Sequence, residues 1–280
     1  MWNQLKTIIL LSALTGLMLG VGLLIGGSQG LTIALIFAAL MNFIMYFFSA
    51  KIVLMMYKAK EAKKSDYPKL HLMVEKIAKQ ADIPKPKIYI IPTNQPNAFA
   101  TGRNPKSAVV ACTEGIMKLL NNEELEGVIA HEIAHVKNRD ILITTIAGTI
   151  AAVISYVAAM ARWGMIFGND RDNNSGNIIA LLLLTIITPI VATIIQLAIS
   201  RAREFHADAT GASFIKNPKG LASALKKIEK AVHVNPMRFG NASTASLFIQ
   251  NPFTFKGVMT LLSTHPATDE RIKRLNQLKF

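Results

Sequence analysis

Two histidines and a glutamate within five consecutive residues have the types and the spacing of a catalytic metal site. The segment reads His131-Glu132-Ile133-Ala134-His135. On an α-helix, positions i and i+4 lie one above the other, so both imidazoles can bind one zinc ion. Glu132 lies about 100° around the helix from His131, where its carboxylate can polarise a water molecule without binding the metal. The pattern predicts peptide-bond hydrolysis, with Glu132 as general base and then as proton donor to the leaving amine.

A catalytic zinc ion takes three protein ligands, and the sequence offers several candidates for the third. Metzincins need Gly at position 138 and His at position 141, but these positions hold Asn138 and Ile141, which excludes that class. The remaining candidates with an oxygen or nitrogen donor are Asp140, Glu204, His206, Asp208 and His265.

Glu204 is the preferred candidate because of its position relative to two long apolar stretches. His135 precedes one stretch by about as many residues as Glu204 follows the other. Two antiparallel helices formed by these stretches would bring His131, His135 and Glu204 to the same depth. The alternative for Glu204 is a surface ion pair with Arg201, a type of contact that contributes little to stability.

Asp208 lies one helical turn after Glu204, on the same face of a predicted helix. A carboxylate at this position can accept a hydrogen bond from a ligand imidazole and fix its orientation. A salt bridge between Asp208 and Arg139 or Arg203 is the alternative interpretation.

The apolar stretches around the motif are long enough to cross a membrane, which takes about 20 residues in a helix. The predicted spans cover about residues 7–25, 31–50, 141–161 and 178–199. The turn signal Gly26–Gly30 separates the first two spans and predicts a helical hairpin. A cleaved signal peptide is the alternative for residues 7–25, but Lys6 is the one basic side chain before it and no clear cleavage site follows.

Charge predicts the orientation of these spans. The chain of 280 residues has a formal net charge of +14, with 15 Lys and Arg between Lys51 and Arg139 and 13 between Arg201 and Lys279. The positive-inside rule therefore places both basic regions in the cytoplasm. Nucleic-acid binding is the rival explanation, but no basic motif interleaved with aromatic residues supports it. A run of lysines after the second span suits anionic lipid headgroups better, at Lys58, Lys60, Lys63 and Lys64.

This organisation predicts a mainly α-helical membrane protein with both termini and the site in the cytoplasm. Residues 1–50 form one transmembrane hairpin and residues 141–200 a second, while residues 51–140 and 201–280 form the cytoplasmic protease segments. If the motif helix continues into the span that begins at Ile141, the site lies on the order of 10 Å from the bilayer.

Periodicity and helix-breaking residues predict the elements that position the site. Helices are predicted at Tyr67–Ala81, from Asn121 or Asn122 through His135, at Pro218–Val232 and at Ala267–Leu278. Strands are predicted at Lys87–Ile91, Asn97–Gly102 and Ser107–Cys112. Cys112, the single cysteine of the chain, cannot form an internal disulfide and is predicted to be a buried structural thiol.

Several segments together resemble the HtpX family of bacterial membrane metalloproteases, which are relatives of the eukaryotic CAAX prenyl endopeptidase. They are His131–His135, Asn138–Asp140, Ser200–Asp208, and Thr264–Pro266 with Arg271–Ile272. The resemblance covers essentially the whole chain. It implies a cytoplasmic zincin-like (gluzincin) α+β protease domain carried by four transmembrane helices of the inner membrane. It also implies one zinc ion per chain, held by His131, His135 and Glu204, and cleavage of misfolded or damaged membrane proteins under stress.

The resemblance extends to residues outside the motif. It implies that His265 stabilises the oxyanion of the tetrahedral intermediate, with a histidine that caps the last helix as the alternative. The family's His-Pro-Pro-Thr element reads His265-Pro266-Ala267-Thr268, so one proline is replaced. The strand that begins Asn97, Ala98, Phe99 resembles the family's substrate-binding edge, with ordinary sheet structure as the alternative.

Two other functions are compatible with these residues. A membrane scaffold or holdase would use zinc structurally, but structural sites are closed by four protein ligands and the sequence offers three good ones. A prenyl-protein protease is the second, and the small number of predicted spans argues against the large intramembrane chamber it would need. In either protease, a loop such as Asn241–Phe255 could cover the resting site.

Overall fold

The computed structural model describes residues 2–147, 201–234, 249 and 266–280. Its helices are α1 (Trp2–Met56), α2 (Pro68–Gln80), α3 (Glu114–Leu119), α4 (Asn122–Lys137), α5 (Arg201–Ile215), α6 (Pro218–Val234) and α7 (Thr268–Gln277). Its strands are β1 (Lys60–Glu61), β2 (Lys87–Ile91), β3 (Ala98–Thr101) and β4 (Val109–Thr113). The fold is mainly helical with a small mixed sheet, which confirms that part of the predicted fold class. The predicted second hairpin lies outside the described residues, apart from residues 141–147, which are helical.

Helix α1 is interrupted at Gly26 and Gly27, within the predicted turn. Both residues have non-helical backbone angles, and Gly27 has a φ of +55°, which glycine adopts readily because it lacks a Cβ. The two arms then lie side by side, since Asn42 Nδ2 donates a hydrogen bond to Thr15 Oγ1 at 2.8 Å. In the part of the chain that the structure describes, the second arm, Gly26–Met56, is the one helix long and apolar enough to cross a membrane.

The strands of the described residues form one sheet in the order β1-β2-β4-β3, which places β3 at one edge of it. Strands β2 and β4 are parallel, whereas β1 and β3 are antiparallel to their neighbours. All residues of β3 and β4 are buried, because one face of the sheet packs against the end of α1 and the other against α4. Strand β2 matches its prediction, and β3 and β4 begin and end within two residues of theirs.

Helix α4 carries the motif, and its first turn is fixed by a capping box. Asn121 Oδ1 accepts a hydrogen bond from the Glu124 N–H, and Glu124 Oε2 accepts one from the Asn121 N–H, each at 2.9 Å. The Glu124 carboxylate also accepts hydrogen bonds from Ser223 and Lys227 of α6, at 2.7 and 2.8 Å. The start of α4 is thereby held against α6.

The end of α4 differs from the expectation of a helix that continues into the next apolar stretch. The helix ends at Lys137, and Arg139 has a φ of +59°, in the left-handed region. This residue therefore separates α4 from the helical segment 141–147. The condition of a continuous helix is therefore not met, and the turn places the Asp140 carboxylate beside His135 of the motif.

Helix α5 approaches α4 closely because a glycine lies at the contact. A Cβ added to Gly211 would lie 2.8 Å from the carbonyl oxygen of Ala130 and from the backbone nitrogen of His131. Glu204, Asp208 and Gly211 share one face of α5, at positions i, i+4 and i+7. The close approach therefore brings both carboxylates next to the motif.

Candidate metal centre

His131, His135 and Glu204 lie together between α4 and α5. His131 Nε2 and His135 Nε2 are 3.2 Å apart. Glu204 Oε2 lies 3.6 Å from the nitrogen of His131, and Glu204 Oε1 lies 3.6 Å from that of His135. Within the described ranges, these three residues are the group whose donor atoms converge closely enough to hold a metal ion. The structure thus brings together the three ligands that were predicted from the sequence.

The spacing of the donor atoms fits zinc. Ligand bonds of about 2.0–2.1 Å in tetrahedral geometry separate neighbouring ligand atoms by about 3.3–3.4 Å. The observed separations of 3.2 and 3.6 Å lie on either side of that value. Two imidazoles and one carboxylate are also a donor set used by catalytic zinc sites.

The charge around the ligands fits a divalent cation. Four carboxylates are buried here, those of Glu132, Asp140, Glu204 and Asp208. Among the residues described, two guanidinium groups offset them, those of Arg271 and Arg203. With neutral imidazoles the site therefore carries two net negative charges, and buried charge of this kind is stable only when it is paired or coordinates a metal.

His131 is oriented by Asp208. The Nδ1 of His131 lies 2.9 Å from Asp208 Oδ1, so Nδ1–H donates and Nε2 faces Glu204. Asp208 also accepts two hydrogen bonds from Arg271, from Nη2 at 2.7 Å and from Nε at 2.9 Å. Asp208 thus stands behind His131, where it fixes the orientation of the ring.

Asp140 orients the imidazole of His135 in the way that Asp208 orients that of His131. His135 Nδ1 lies 3.1 Å from Asp140 Oδ2, and Asp140 is 2% exposed. Asp140 was one candidate for the third ligand, and the structure places it behind His135 instead. Each imidazole of the motif therefore has a carboxylate on Nδ1, which leaves Nε2 to face the centre.

These carboxylates govern the protonation of the imidazoles. Burial alone would lower the pKa of His131, but the hydrogen bonds of Asp208 and Glu204 raise it to about 10. Burial likewise opposes protonation of His135, and Asp140 followed by Glu204 raises its pKa. The carboxylates attract either a proton or a metal cation, so a bound divalent ion would displace the protons.

Glu132 lies beside the ligands, and β3 fixes its position. The carboxylate is 5% exposed, and its Oε2 accepts a hydrogen bond from the Ala100 N–H at 2.8 Å. Burial raises the pKa of Glu132, whereas the neighbouring His131 and His135 oppose that rise. A carboxylate with a raised pKa accepts a proton more effectively near neutral pH than an exposed one.

Arg271 is a residue of this site whose role was not predicted. It is 2% exposed and lies between the two carboxylates of α5, with Nη1 3.8 Å from Glu204 Oε2. Burial would lower its pKa, but the charge of Asp208 raises it. Burial would raise the pKa of Asp208, and the charge of Arg271 lowers it to about 2. Arg271 also donates a hydrogen bond from Nη1 to the carbonyl oxygen of Ile249 at 3.1 Å.

A sequence signal for Arg271 does exist in the spacing of α7. The buried residues of this helix are Thr268, Arg271 and Leu275, at positions i, i+3 and i+7, so an arginine lies within the buried stripe. In the described part of the chain, Asp208 pairs with this arginine and not with Arg139 or Arg203, the two partners suggested by sequence proximity.

Among the described strands, β3 is the last of the sheet on one side, and its outer edge borders the site. The carbonyl oxygen of Asn97 accepts a hydrogen bond from the Thr113 N–H at 2.9 Å. Backbone groups alternate in direction along an antiparallel strand, so Ala98 and Ala100 direct theirs away from β4. The Ala100 N–H accordingly reaches Glu132 on α4. The outer edge of β3 therefore passes directly beside the Glu132 carboxylate.

Two side chains at the start of this strand contact the rest of the fold. Phe99 is 3% exposed and packs with Val53 of α1, with its ring centroid 5.7 Å from that of Tyr57. The Asn97 side chain accepts a hydrogen bond from the Ile249 N–H at 3.2 Å. A substrate role for this segment would therefore depend on its backbone.

The remaining candidates do not join the cluster of ligands. His206 is exposed on α5, whereas Glu204 and Asp208 on the same helix are buried. His265 lies outside the described residues, as does the loop Asn241–Phe255 apart from Ile249.

A two-histidine helix, a third carboxylate on a neighbouring helix and a glutamate beside the imidazoles define a zinc metallopeptidase of the HExxH class. A model of Peptidase family M48 matches residues 64–279. The chain is 53% identical over 274 residues to a protease HtpX homolog of Pyrococcus furiosus, covering 98% of this chain and 95% of that one. It is also 53% identical over 269 residues to a protease HtpX homolog of Aquifex aeolicus, covering 94% and 89%.

Among solved structures, the crystal structure of S. mikatae Ste24p has a similar fold. The TM-score is 0.52 at 20% sequence identity, over 98% of this chain and 65% of that one. The chain belongs to peptidase family M48. The resemblance to the HtpX family and the prediction of a zinc metallopeptidase are thereby confirmed.

Proposed function

We propose that this metallopeptidase is a membrane-embedded endopeptidase that hydrolyses peptide bonds of misfolded or damaged membrane proteins at the cytoplasmic face. The observation that carries the proposal is the convergence of His131, His135 and Glu204 beside the buried carboxylate of Glu132. The high identity to relatives described as proteases supports the same reaction.

The ligands and the residues behind them would hold one zinc ion. Two imidazoles and a carboxylate would bind it, those of His131, His135 and Glu204. Asp208 and Asp140 keep the imidazoles in one tautomer with Nε2 toward the centre. When bound, zinc would act as a Lewis acid that polarises the scissile carbonyl and makes water easier to deprotonate.

Glu132 would perform both proton transfers. It accepts a proton from the attacking water and donates it to the nitrogen of the leaving amine. The hydrogen bond from the Ala100 N–H holds Glu132 Oε2 in place, so the base has a fixed position relative to the ligands.

The outer edge of β3 would bind the substrate in an extended conformation. Backbone groups of Ala98 and Ala100 point away from β4 and can pair with an added strand. A segment must leave its own secondary structure to pair in this way. Unfolded segments of damaged proteins meet this requirement, and well-folded proteins do not.

Membrane insertion is supported by α1 and by the charge distribution. The arm Gly26–Met56 suits a membrane span by length and composition. The hydrogen bond between Asn42 and Thr15 satisfies two polar side chains that would otherwise face lipid. With further spans at about residues 141–161 and 178–199, the basic regions lie in the cytoplasm together with both termini and the site.

The test is cleavage of casein and of a model membrane protein by the detergent-purified chain, with bound zinc quantified in each preparation. Glu132→Gln is expected to retain about one zinc per chain and to lose about 10²–10⁴-fold in rate, since it removes the base. Glu126→Gln is the matched control, because Glu126 lies on the same helix and pairs with the exposed Lys76. It is expected to cleave like the wild type.

The same assay separates the alternatives. Zinc in both proteins with no difference in cleavage would refute the catalytic role and favour a scaffold. Equal cleavage of a folded membrane protein and of its destabilised variant would refute the preference for damaged substrates. A chain that cleaves only prenylated peptides would be a prenyl-protein protease.

A further inference from the structure

A cleft of about 1040 Å³ lies where the ends of α1 meet the protease domain. Apolar side chains of α1 and of the helical segment 141–147 line it at Ile8, Leu11, Tyr46 and Leu142. Four basic side chains also line it: Arg103 and Lys106 between β3 and β4, Lys137 at the end of α4, and Arg139 in the turn after α4. Asp82 is the one acidic residue among its described lining residues.

The basic side chains of this cleft are largely without counter-charges. Lys137 lies 3.6 Å from Asp82, which is 99% exposed. For Arg103, Lys106 and Arg139, no carboxylate of the described residues lies within ion-pair distance. The Arg103 guanidinium instead lies over the Phe47 ring, 4.9 Å from its centroid, which keeps the charge at the surface of α1. Unpaired cations held together in a cleft are suited to an anion.

An apolar groove continues from this cleft along the first arm of α1. It has a volume of about 400 Å³ and shares Ile8 and Leu11 with the cleft. Its other described lining residues are Ser12, Thr15, Gly16, Leu19 and Asn42. Thr15 and Asn42 hydrogen-bond to each other, so the groove offers mainly apolar surface to an occupant. Gly16 keeps it open, since nothing lies within 4 Å of a Cβ added there.

We propose that the cleft and groove bind one anionic phospholipid of the surrounding bilayer. The phosphate and headgroup contact Arg103, Lys106 and Arg139, and an acyl chain lies in the groove beside Leu11 and Gly16. A soluble anion would use the cleft but not the groove, whereas a phospholipid uses both. The inference rests on the proposed membrane insertion of α1, which places the cleft at headgroup depth.

Native mass spectrometry of the full chain in detergent tests the proposal, with phosphatidylglycerol and phosphatidylcholine of the same acyl chains as probes. The wild type is expected to retain one phosphatidylglycerol and to bind phosphatidylcholine at least about tenfold more weakly, because the cations of the cleft select for net negative charge. Arg103→Gln with Lys106→Gln is expected to weaken phosphatidylglycerol binding about 25-fold, from about fivefold for each of the two cations.

The matched control is Lys226→Gln with Lys230→Gln, which removes two exposed cations from helix α6. These residues do not line the cleft, so binding is expected to stay within about twofold of the wild type. Equal losses in the two double variants would mean diffuse attraction to basic surface and would overturn the proposal. Equal retention of the two lipids by the wild type would overturn it as well.

A separate pair of variants tests whether an acyl chain lies in the groove. Gly16→Leu fills the open space beside Leu11 and is expected to lower phosphatidylglycerol retention at least about tenfold, because it removes the apolar surface open to an acyl chain. Gly20→Leu, one turn further along, also meets nothing within 4 Å but is not a lining residue. It is expected to bind like the wild type. Displacement of phosphatidylglycerol by inorganic phosphate would assign the cleft to a free anion and overturn the lipid proposal.

Carbonate extraction of cell membranes separates this inference from the proposed function. A wild-type chain that stays in the membrane fraction but retains no phosphatidylglycerol overturns the lipid site alone. A wild-type chain that is extracted overturns the proposed membrane insertion.

Discussion

Loss of the Arg271 guanidinium is a perturbation whose effect on stability follows directly from the contacts of this residue. Arg271 is 2% exposed and donates hydrogen bonds to both carboxylate oxygens of Asp208, at 2.7 and 2.9 Å. Methionine fills much of the same volume but carries no charge. Arg271→Met would therefore leave the Asp208 carboxylate buried, with His131 as its nearest remaining partner.

The expected loss of folding stability is large because the Asp208 charge stays buried without Arg271. Removal of one partner of a buried ion pair destabilises a protein by about 3–5 kcal/mol. The contact between His131 and Asp208 at 2.9 Å survives in the variant, which favours the lower end, about 3 kcal/mol. For a chain of this size, 1 kcal/mol corresponds to about 2–4 °C in Tm, so the expected fall is about 6–12 °C.

Thermal unfolding of the detergent-solubilised chain, followed by far-ultraviolet circular dichroism, measures this change. Lys273→Met, at an exposed position of the same helix, is the control and should stay within about 0.5 kcal/mol of the wild type. Asp208→Asn combined with Arg271→Met removes both charges and should be about 2 kcal/mol more stable than the sum of the single losses predicts. Additive losses in the double variant, or a fall of less than about 2 °C for Arg271→Met, would refute the buried-pair reasoning.

Two further predictions concern the ligands themselves. The raised pKa of His131, about 10 against an ordinary 6.5, stabilises the zinc-free fold fully below pH 6.5, and this contribution is lost as the pH rises toward 10. Zinc must displace the proton of His131, so the Kd for zinc should fall by up to about tenfold per pH unit between pH 6.5 and 10. Titration against a competing chelator measures this Kd. A Kd that stays constant with pH would contradict the reasoning. Gly211→Ala places a Cβ 2.8 Å from the backbone of Ala130 and His131, and should cost about 1–3 kcal/mol and reduce bound zinc. Ser213→Ala, on the exposed side of the same helix, is its control, and unchanged zinc binding in Gly211→Ala would show that the close approach is not needed.

The elements that depend on local residue patterns could be predicted from the sequence. His131 and His135 are one turn apart on a helix whose start is marked by Asn121 and Glu124. The helix and its N-terminal end could therefore both be predicted from the sequence. Glu204 could be chosen because it follows one apolar stretch as closely as His135 precedes another. Strand β2 is bounded by prolines and rich in β-branched residues.

Contacts between residues that are far apart in the sequence could not be predicted from local residue patterns. The pair of Arg271 and Asp208 joins residues that are 63 positions apart, and helix α7 has the composition of an exposed basic helix. The spacing of α7 places Arg271 in the buried stripe, but only the packing of α7 against α5 shows that its partner is Asp208. Strand β1 was missed for a related reason, since Lys60–Glu61 is too short to have a period and is exposed on both residues.

The turn after α4 shows how one backbone conformation completes the site. On a continuous helix, residues 135 and 140 would lie about 140° apart around the axis, so their side chains would diverge. The left-handed conformation of Arg139 instead brings Asp140 within 3.1 Å of His135 Nδ1. The motif alone therefore specifies where the second imidazole lies, and the turn at Arg139 specifies which of its nitrogens faces Glu204. An HExxH helix that ran straight into the following apolar segment would keep both histidines but would lack the carboxylate that orients the second one.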